Sequence, residues 1–312
     1  MSDGVDLEVR AQTLDEAIPA GIPHFISLGA GVQSSTLLFM AAEGLIQPTP
    51  LAAIIADTQD EPERVYAWLT FLLSLELPFP ILVRTAGNLM RTVLKRHVSK
   101  KSGNRYIRTI IPAYLLNPDG SRGVLQRRCT GDYKIRVLER TISQELLPKL
   151  TKYEREARKN GEVERKRACS WIGISTDEAD RMKPAKLDWI VNRWPLIELG
   201  INREGCKEWV RQSRYHELII KAGFTEPPRS ACKKCPYHSD AEWLRIKSES
   251  PAEFEDAVQW ERAYQTEIVD YCQVTKGIPF LHNSLVPLDQ VVFKPDKNRR
   301  AMSNECEGMC GV

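Results

Sequence analysis

Three short β-rich runs, His24 to Gly29, Leu51 to Asp57 and Pro80 to Arg84, alternate with stretches of helical period at Ser34 to Glu43 and Glu61 to Leu75. This alternation constrains the architecture more than any other feature, because strands joined through helices run parallel and are covered on both faces. Two further runs, Cys169 to Ser175 and Pro195 to Leu199, bring the set to five. The pattern predicts an α/β fold, a Rossmann-like α/β/α sandwich with a mostly parallel five-stranded sheet. Ligands of such sheets bind at the carboxyl ends of the strands. Beyond Gly223 the strand pattern stops and gives way to a Pro- and Cys-containing loop, a long helix from about Pro251 to Thr275, and a Gly- and Cys-containing tail. The expected division is an N-terminal tail over 1–20, the α/β domain over 21–224 and a C-terminal Cys-rich helical segment over 225–312.

At 312 residues the chain can bury a large core without covalent staples. No run approaches the ~18 apolar residues of a membrane span, so no membrane partner is expected. The amino terminus, MSDGVDLEVR, lacks the basic-then-apolar order of a secretory signal. A cytoplasmic location without disulfides is the expectation. Net charge is only +3, from 44 basic and 41 acidic residues, but it is unevenly spread. Arg84 to Asn117 holds eight Lys or Arg and no acid, which reads either as a solvated basic face or as a surface for phosphate or nucleic acid. Lys149 to Arg167 mixes both signs and reads as an exposed helical insertion.

The first strand runs into a glycine-containing turn and a helix, Ser27-Leu28-Gly29-Ala30-Gly31-Val32-Gln33-Ser34-Ser35-Thr36. Glycines let a ligand approach the backbone, hydroxyls add donors, and a helix start offers unpaired N–H groups, so an anion fits there. No G-K-[ST] follows, and Ser34 stands where G-x-G-x-x-G needs its third glycine. The second strand ends in Ala56-Asp57-Thr58-Gln59-Asp60-Glu61, which brings a carboxylate and a hydroxyl to the neighbouring strand end. The alternatives are a tight turn without ligand and a simple helix cap by Asp57 or Thr58.

Together these motifs resemble the PP-loop superfamily of adenine-nucleotide α-hydrolase-like enzymes, whose loop reads S-G-G-x-D-S and whose next strand often ends in D-T-G. The phosphoadenosine phosphosulfate (PAPS) reductase-like group is the nearer match. Arg127-Arg128-Cys129-Thr130-Gly131-Asp132-Tyr133-Lys134-Ile135 resembles its Cys-then-Arg-Lys-Val segment. Trp171-Ile172-Gly173-Ile174 with Glu178 and Arg181 is similar to its strand before a substrate-contacting Arg, and Arg193-Trp194-Pro195-Leu196-Ile197-Glu198 with Trp209 to its Pro-Leu-x-x-W segment. The resemblance spans roughly His24 to Tyr237. It implies an adenine nucleotide (PAPS, adenylylsulfate or ATP) held by Ser27, Gly29, Gly31, Gln33, Ser34, Ser35, Asp57 and Thr58. It also implies Lys134, Arg181 and Arg193 on the substrate's anionic oxygens. Gln33 replaces the superfamily's acidic loop residue, which weakens an ATP-splitting role, although Asp57 or Asp60 could still hold Mg²⁺.

Of the eight cysteines, Cys169, Cys206 and Cys272 read as small buried hydrophobes on a strand and two helices. Cys232-Lys233-Lys234-Cys235-Pro236 places two thiols on one turn, and the adjacent lysines are expected to favour thiolate. With Cys129 and the tail pair Cys306 and Cys310, this spacing admits an iron–sulfur cluster, zinc or a redox dithiol. The resemblance to adenylylsulfate reductases implies a [4Fe–4S] cluster with Cys129, Cys232 and Cys235 at three of the four ligand positions. The fourth position is then filled from the tail or left open to a substrate sulfur. Glu305-Cys306 and Cys310-Gly311 each match half of the reductases' E-C-G-[IL]-H tail, with Cys306 the expected ligand and Cys310 the expected nucleophile.

The expected function is therefore a PAPS/adenylylsulfate reductase-like enzyme served by a thioredoxin-like reductant. The alternative is an ATP-dependent sulfurtransferase that thiolates tRNA or the DNA backbone and tracks it through Arg84 to Arg108. A third class is a non-catalytic nucleotide or nucleic-acid binding module.

Overall fold

The computed structural model describes residues 17–294. Its centre is an all-parallel sheet of β1 (His24–Ser27), β2 (Ala52–Asp57), β3 (Ile81–Thr85), β4 (Ala168–Ile172) and β5 (Ile190–Arg193), in the order β3-β2-β1-β4-β5. Register runs from Phe25 opposite Ala52 and from His24 opposite Cys169. The order reverses between β1 and β4, and loops leaving the two strands there open a crevice at the carboxyl edge.

Alternate side chains of each strand feed two apolar layers. On one face Ile26 and Ala53 pack with Leu37, Leu38 and Phe39 of helix α1 (Val32–Ala42), Trp68 and Leu72 of α2 (Glu63–Leu73), and Cys206 and Val210 of α3 (Arg203–Gln212). On the other, Phe25, Ile54, Ile172 and Ile190 pack with Leu138 and Ile142 from the helical stretch at 130–146. A third core joins α4 (Asp240–Glu249) and α5 (Pro251–Thr266) to Leu89, Met90, Val93, Ile107 and Ile110. The segment after Gly223 thus shares its interior with the chain that follows β3.

Two expectations are corrected. Pro195 to Leu199 is not the fifth strand: Pro195–Glu198 is helical, and Ile190–Arg193 is the strand. Proline lacks an N–H to give a ladder and suits the first helical position, whereas Ile190 and Val191 are β-branched. Strands also do not end at Gly223, since Ile278–Phe280 pairs antiparallel with Tyr114–Leu116, which pairs with Arg122–Val124. A separate two-stranded ribbon joins Arg96–Val98 to Arg105–Ile107. The charged insertion is a helix, Lys152–Asn160, started by a Thr151/Glu154 capping box and ended by Gly161 at φ +78°. Among the described residues no helix is long and apolar enough to cross a membrane.

Candidate functional site

The glycine loop leaves β1 at the carboxyl edge, with Leu28 still bonded through its N–H to the Ile54 carbonyl. Ala30 sits at φ +59°, a left-handed conformation that is uncommon away from glycine. Gln59, just past β2, is left-handed at φ +57°. Strain of this kind on two adjacent loops is held in place by the surrounding structure. Ser34 closes the first loop from within, its hydroxyl accepting the N–H groups of Gly29 and Gly31 at 3.2 Å each. Ser35 does not face the loop's mouth, because its hydroxyl accepts the Trp68 indole N–H at 3.0 Å inside the core. The Ser27 hydroxyl is 1% exposed and has no hydrogen-bond partner among the described residues.

Gln33 is fully buried and engaged at both ends of its amide. Its Nε2 donates to Glu178 Oε2 at 3.0 Å and to Ser175 Oγ at 3.3 Å, and its Oε1 accepts from Arg203 Nη1 at 3.2 Å. Glu178 in turn pairs with Arg181 at 2.7 Å. Gln33 therefore fastens α1 to the loop after β4, across the point where the sheet order reverses, and brings Arg181 to the same place. Arg193 goes elsewhere. It bonds Glu198, donates to the Gln47 carbonyl at 2.6 Å and lies over the Trp171 ring, beside His24 at the amino edge of the sheet. The helical turn at Pro195–Glu198 brings Glu198 back within its reach.

At the end of β2, Asp57 Oδ1 accepts from the Gln59 N–H at 2.8 Å and the Tyr66 hydroxyl at 2.9 Å. Burial, and then Asp57, push the Tyr66 hydroxyl upward, which keeps it a donor. Gly29, Asp57, Glu61, Tyr66 and Lys134 line a narrow crevice at this edge. Glu61 Oε2 is buried with no hydrogen-bond partner among the described residues, and Lys134 Nζ stands 4.0 Å from Glu61 Oε1.

The distant thiol turn docks on this edge. Cys232 Sγ lies 3.4 Å from Thr58 Oγ1 and 3.6 Å from Glu61 Oε1. The Lys233 N–H donates to the Asp60 carbonyl at 2.8 Å, and Lys234 Nζ sits 2.9 Å from Asp60 and 2.5 Å from Asp256. Lysine charge thus goes to carboxylates, and the expectation that it favours thiolate fails at Cys232. Burial first, and Glu61 second, push that thiol well above its ordinary value. Cys129 and Cys235 pack against the same apolar cluster as Cys232. Burial raises the Tyr237 hydroxyl, Arg127 opposes the shift, and Cys235 and Cys129 both add to it, so the two thiols neighbour one ring. His238 Nε2 is 3.0 Å from the Cys232 carbonyl, and its pKa is lowered to about 4 chiefly by burial.

None of the six described cysteines is joined in a disulfide. Among the described residues no three His, Cys, Asp or Glu side chains are arranged to hold a metal ion. Cys306 and Cys310 lie outside the described residues. Cys169 and Cys206 are buried on β4 and α3, and Cys272 is buried at the end of the turn that follows α5.

Sequence reading did not single out Tyr66, Asp256 or Arg203, and it gave Glu61 no role at the thiol. A carboxylate just before a helix reads as a favourable end charge, and nothing local marks Arg203. Asp60 carries its own test. Burial raises it from 3.8 to about 6 against the pull of Lys234. A raised carboxyl favours the folded state while protonated, so its contribution is complete below about pH 3.8 and is lost as pH rises through about 6. Wild type should therefore lose unfolding free energy relative to Asp60→Asn across that window in urea melts. A constant difference between the two proteins would contradict the burial.

No family model, no curated protein and no solved structure matches the chain.

Proposed function

We propose that this protein is an adenine-nucleotide-binding enzyme of sulfur chemistry, of the PAPS reductase-like kind. One observation carries the reading: Cys232 reaches the end of β2, 3.4 Å from Thr58, beside the crevice shared by Gly29, Asp57 and Lys134. An anion cradle and a cysteine turn, far apart in the chain, thus meet at the edge where parallel sheets bind ligands.

In this reading the nucleotide phosphate rests on the N–H groups at the start of α1, with the Ser27 hydroxyl as an unspent donor. Lys134 and Arg181 face the sulfonate oxygens and offset their charge. A cysteine thiolate attacks sulfur, the new S–S bond replaces the S–O bond, and the nucleotide leaves with the electron pair. The resulting thiosulfonate passes to an external dithiol, which releases sulfite. Cys310, the nucleophile implied by the resemblance, lies outside the described residues.

Cys129, Cys232 and Cys235 share one apolar cluster but are not arranged around a common centre as they stand, so an iron–sulfur cluster, with zinc the next choice by donor chemistry, would have to draw the three thiols together. The thiols share one apolar surround, and Cys232, held protonated beside Glu61, would ionise only against added positive charge. When bound, such a group would supply Lewis-acidic metal beside the substrate's sulfur.

The test is anaerobic purification with iron and sulfide analysis, followed by assay with sulfonucleotide and a dithiol. Sulfite release is expected. Cys235→Ser should bleach the protein and reduce turnover by at least ~100-fold, the scale of losing a ligand or its support. Cys272→Ser should do neither. Iron-free wild type that still turns over would remove the cluster from the reading, and absence of nucleotide binding would remove the reading itself.

A further inference from the structure

Between β3 and the helical stretch at 130–146 the chain forms the small ribbon of Arg96–Val98 and Arg105–Ile107. On it and its flanks, Arg91, Lys95, Lys100, Lys101, Arg105 and Arg108 are all exposed. None of the six has a carboxylate within ion-pair distance among the described residues. Arg96 is the exception, bonded by Glu267 at 2.8 Å with Asp270 close by. Elsewhere many surface cations are paired, as Arg245 is with Glu242 and Glu249, Arg211 with Glu208 and Arg136 with Asp132, and ones unpaired among the described residues, such as Arg64, Lys183 and Lys276, also occur. The ribbon segment differs in having no acid of its own from Arg84 to Asn117. Six unbalanced cations repel one another, so a partner of opposite charge is the economical account of them.

The ribbon is also held firm. Arg105 exchanges two 2.8 Å hydrogen bonds with Gln273, and the Tyr271 hydroxyl donates to the His97 carbonyl at 3.1 Å. The guanidinium groups of Arg96 and Arg105 lie 4.9 and 5.4 Å from the centre of the Tyr271 ring. Both ends of the segment are tied to the candidate site. The Leu89 N–H donates to the Thr58 carbonyl at 3.0 Å and Asn88 Nδ2 to the Gln59 carbonyl at 2.8 Å, while the Cys129 N–H donates to the Ile110 carbonyl at 2.9 Å.

We propose that this ribbon binds the phosphate backbone of a polynucleotide and lays it toward the crevice. Duplex nucleic acid carries a charge every ~1.7 Å, whereas a fully acidic extended peptide carries one per ~3.3 Å. A dense row of cations therefore gains more from the former through counterion release. A two-stranded ribbon is also narrow enough to enter a major groove. Binding stands independently of the nucleotide reading; delivery to the crevice rests on it.

The full chain should bind a short labelled duplex DNA, or single-stranded RNA of the same sequence, in fluorescence anisotropy. With four to six phosphate contacts on duplex DNA, log affinity should fall against log salt with a slope of about −4 to −5, a loss of ~10²–10³ between ~50 and ~200 mM. Lys100→Glu/Lys101→Glu/Arg108→Glu, all exposed positions, should flatten the slope by about 3 and weaken binding at least ~30-fold, with an unchanged melting temperature. A preference for DNA or RNA identifies the polynucleotide. Equal binding by the variant, or no binding of either probe by wild type at ~50 mM salt, overturns the proposal. So does competition by polyglutamate as strong as by unlabelled DNA, which would point to an acidic protein. Adenine-nucleotide binding, read in parallel by equilibrium dialysis, should survive in the variant. Its absence in wild type that still binds polynucleotide would sink the function proposed above and leave this surface standing.

Discussion

Replacing Lys234 with methionine should destabilise the protein by about 3–5 kcal/mol at neutral pH, the range for stranding one member of a buried ion pair. The Lys234 side chain is 5% exposed and lies between Asp60, 4% exposed, and the half-exposed Asp256. Only the Asp60 partner counts fully, because solvent screens the other. Without the ammonium, Asp60 keeps a buried charge or takes up a proton, and the thiol turn loses its anchor on the β2 edge. Two measurements check this. Urea unfolding should show the loss and its recovery by more than half in Lys234→Met/Asp60→Asn. Reaction of Cys232, now 9% exposed, with a disulfide reagent should speed up at least ~10-fold as local opening becomes easier by ~1.4 kcal/mol or more. A loss below about 1 kcal/mol would mean that apolar packing alone holds the turn.

Gln33→Glu should be the second severe change, although the two side chains have nearly the same shape. Glutamate keeps the acceptor facing Arg203 but loses both donors, and it sets a carboxylate 3.0 Å from Glu178, which is 2% exposed. Arg203 and Arg181 offset part of the repulsion, but two buried carboxyls this close raise one pKa above the usual carboxylate range. A folded-state value raised above the unfolded ~4.3 gives stability below that pH which is lost as pH climbs through the raised value. The variant should therefore lie close to wild type near about pH 4 and fall about 2–3 kcal/mol short by about pH 7.5. A deficit of the same size at both ends would show that shape, not charge, decides the position. The structure also gives Gln33 a physical reason: Glu178 already brings a carboxylate to that spot, and a neutral amide can donate to it while accepting from Arg203.

The sheet was legible where strands are long enough to carry a pattern, as at Leu51 to Asp57. It was misread at Pro195, where apolar neighbours outweighed what the ring forbids. The small antiparallel pairs, three residues each, are too short to show a period. At the site, the glycine loop and the Asp57-Thr58 strand end were readable because their spacing is local. The directions of hydroxyls were not: Ser34 and Ser35 are neighbours, yet one closes the loop and the other bonds Trp68. The resemblance puts Arg193 on the substrate, and only the fold shows Glu198 holding it at the other edge. The meeting of Cys232 with Thr58 and Glu61, and the Asp60–Lys234–Asp256 bridge beside it, depend on distances no spacing contains.

The order in which these parts emerge from a ribosome matters. Once Arg193 is made the sheet has all its strands, but the roughly forty residues to Cys232 take another 2–8 s at ~5–20 residues per second. During that interval the sheet forms and α3 closes on α1, while Thr58, Asp60 and Glu61 stand without the turn that later covers them. A newborn chain thus holds its acidic strand end open to solvent before the cysteine turn arrives to close it.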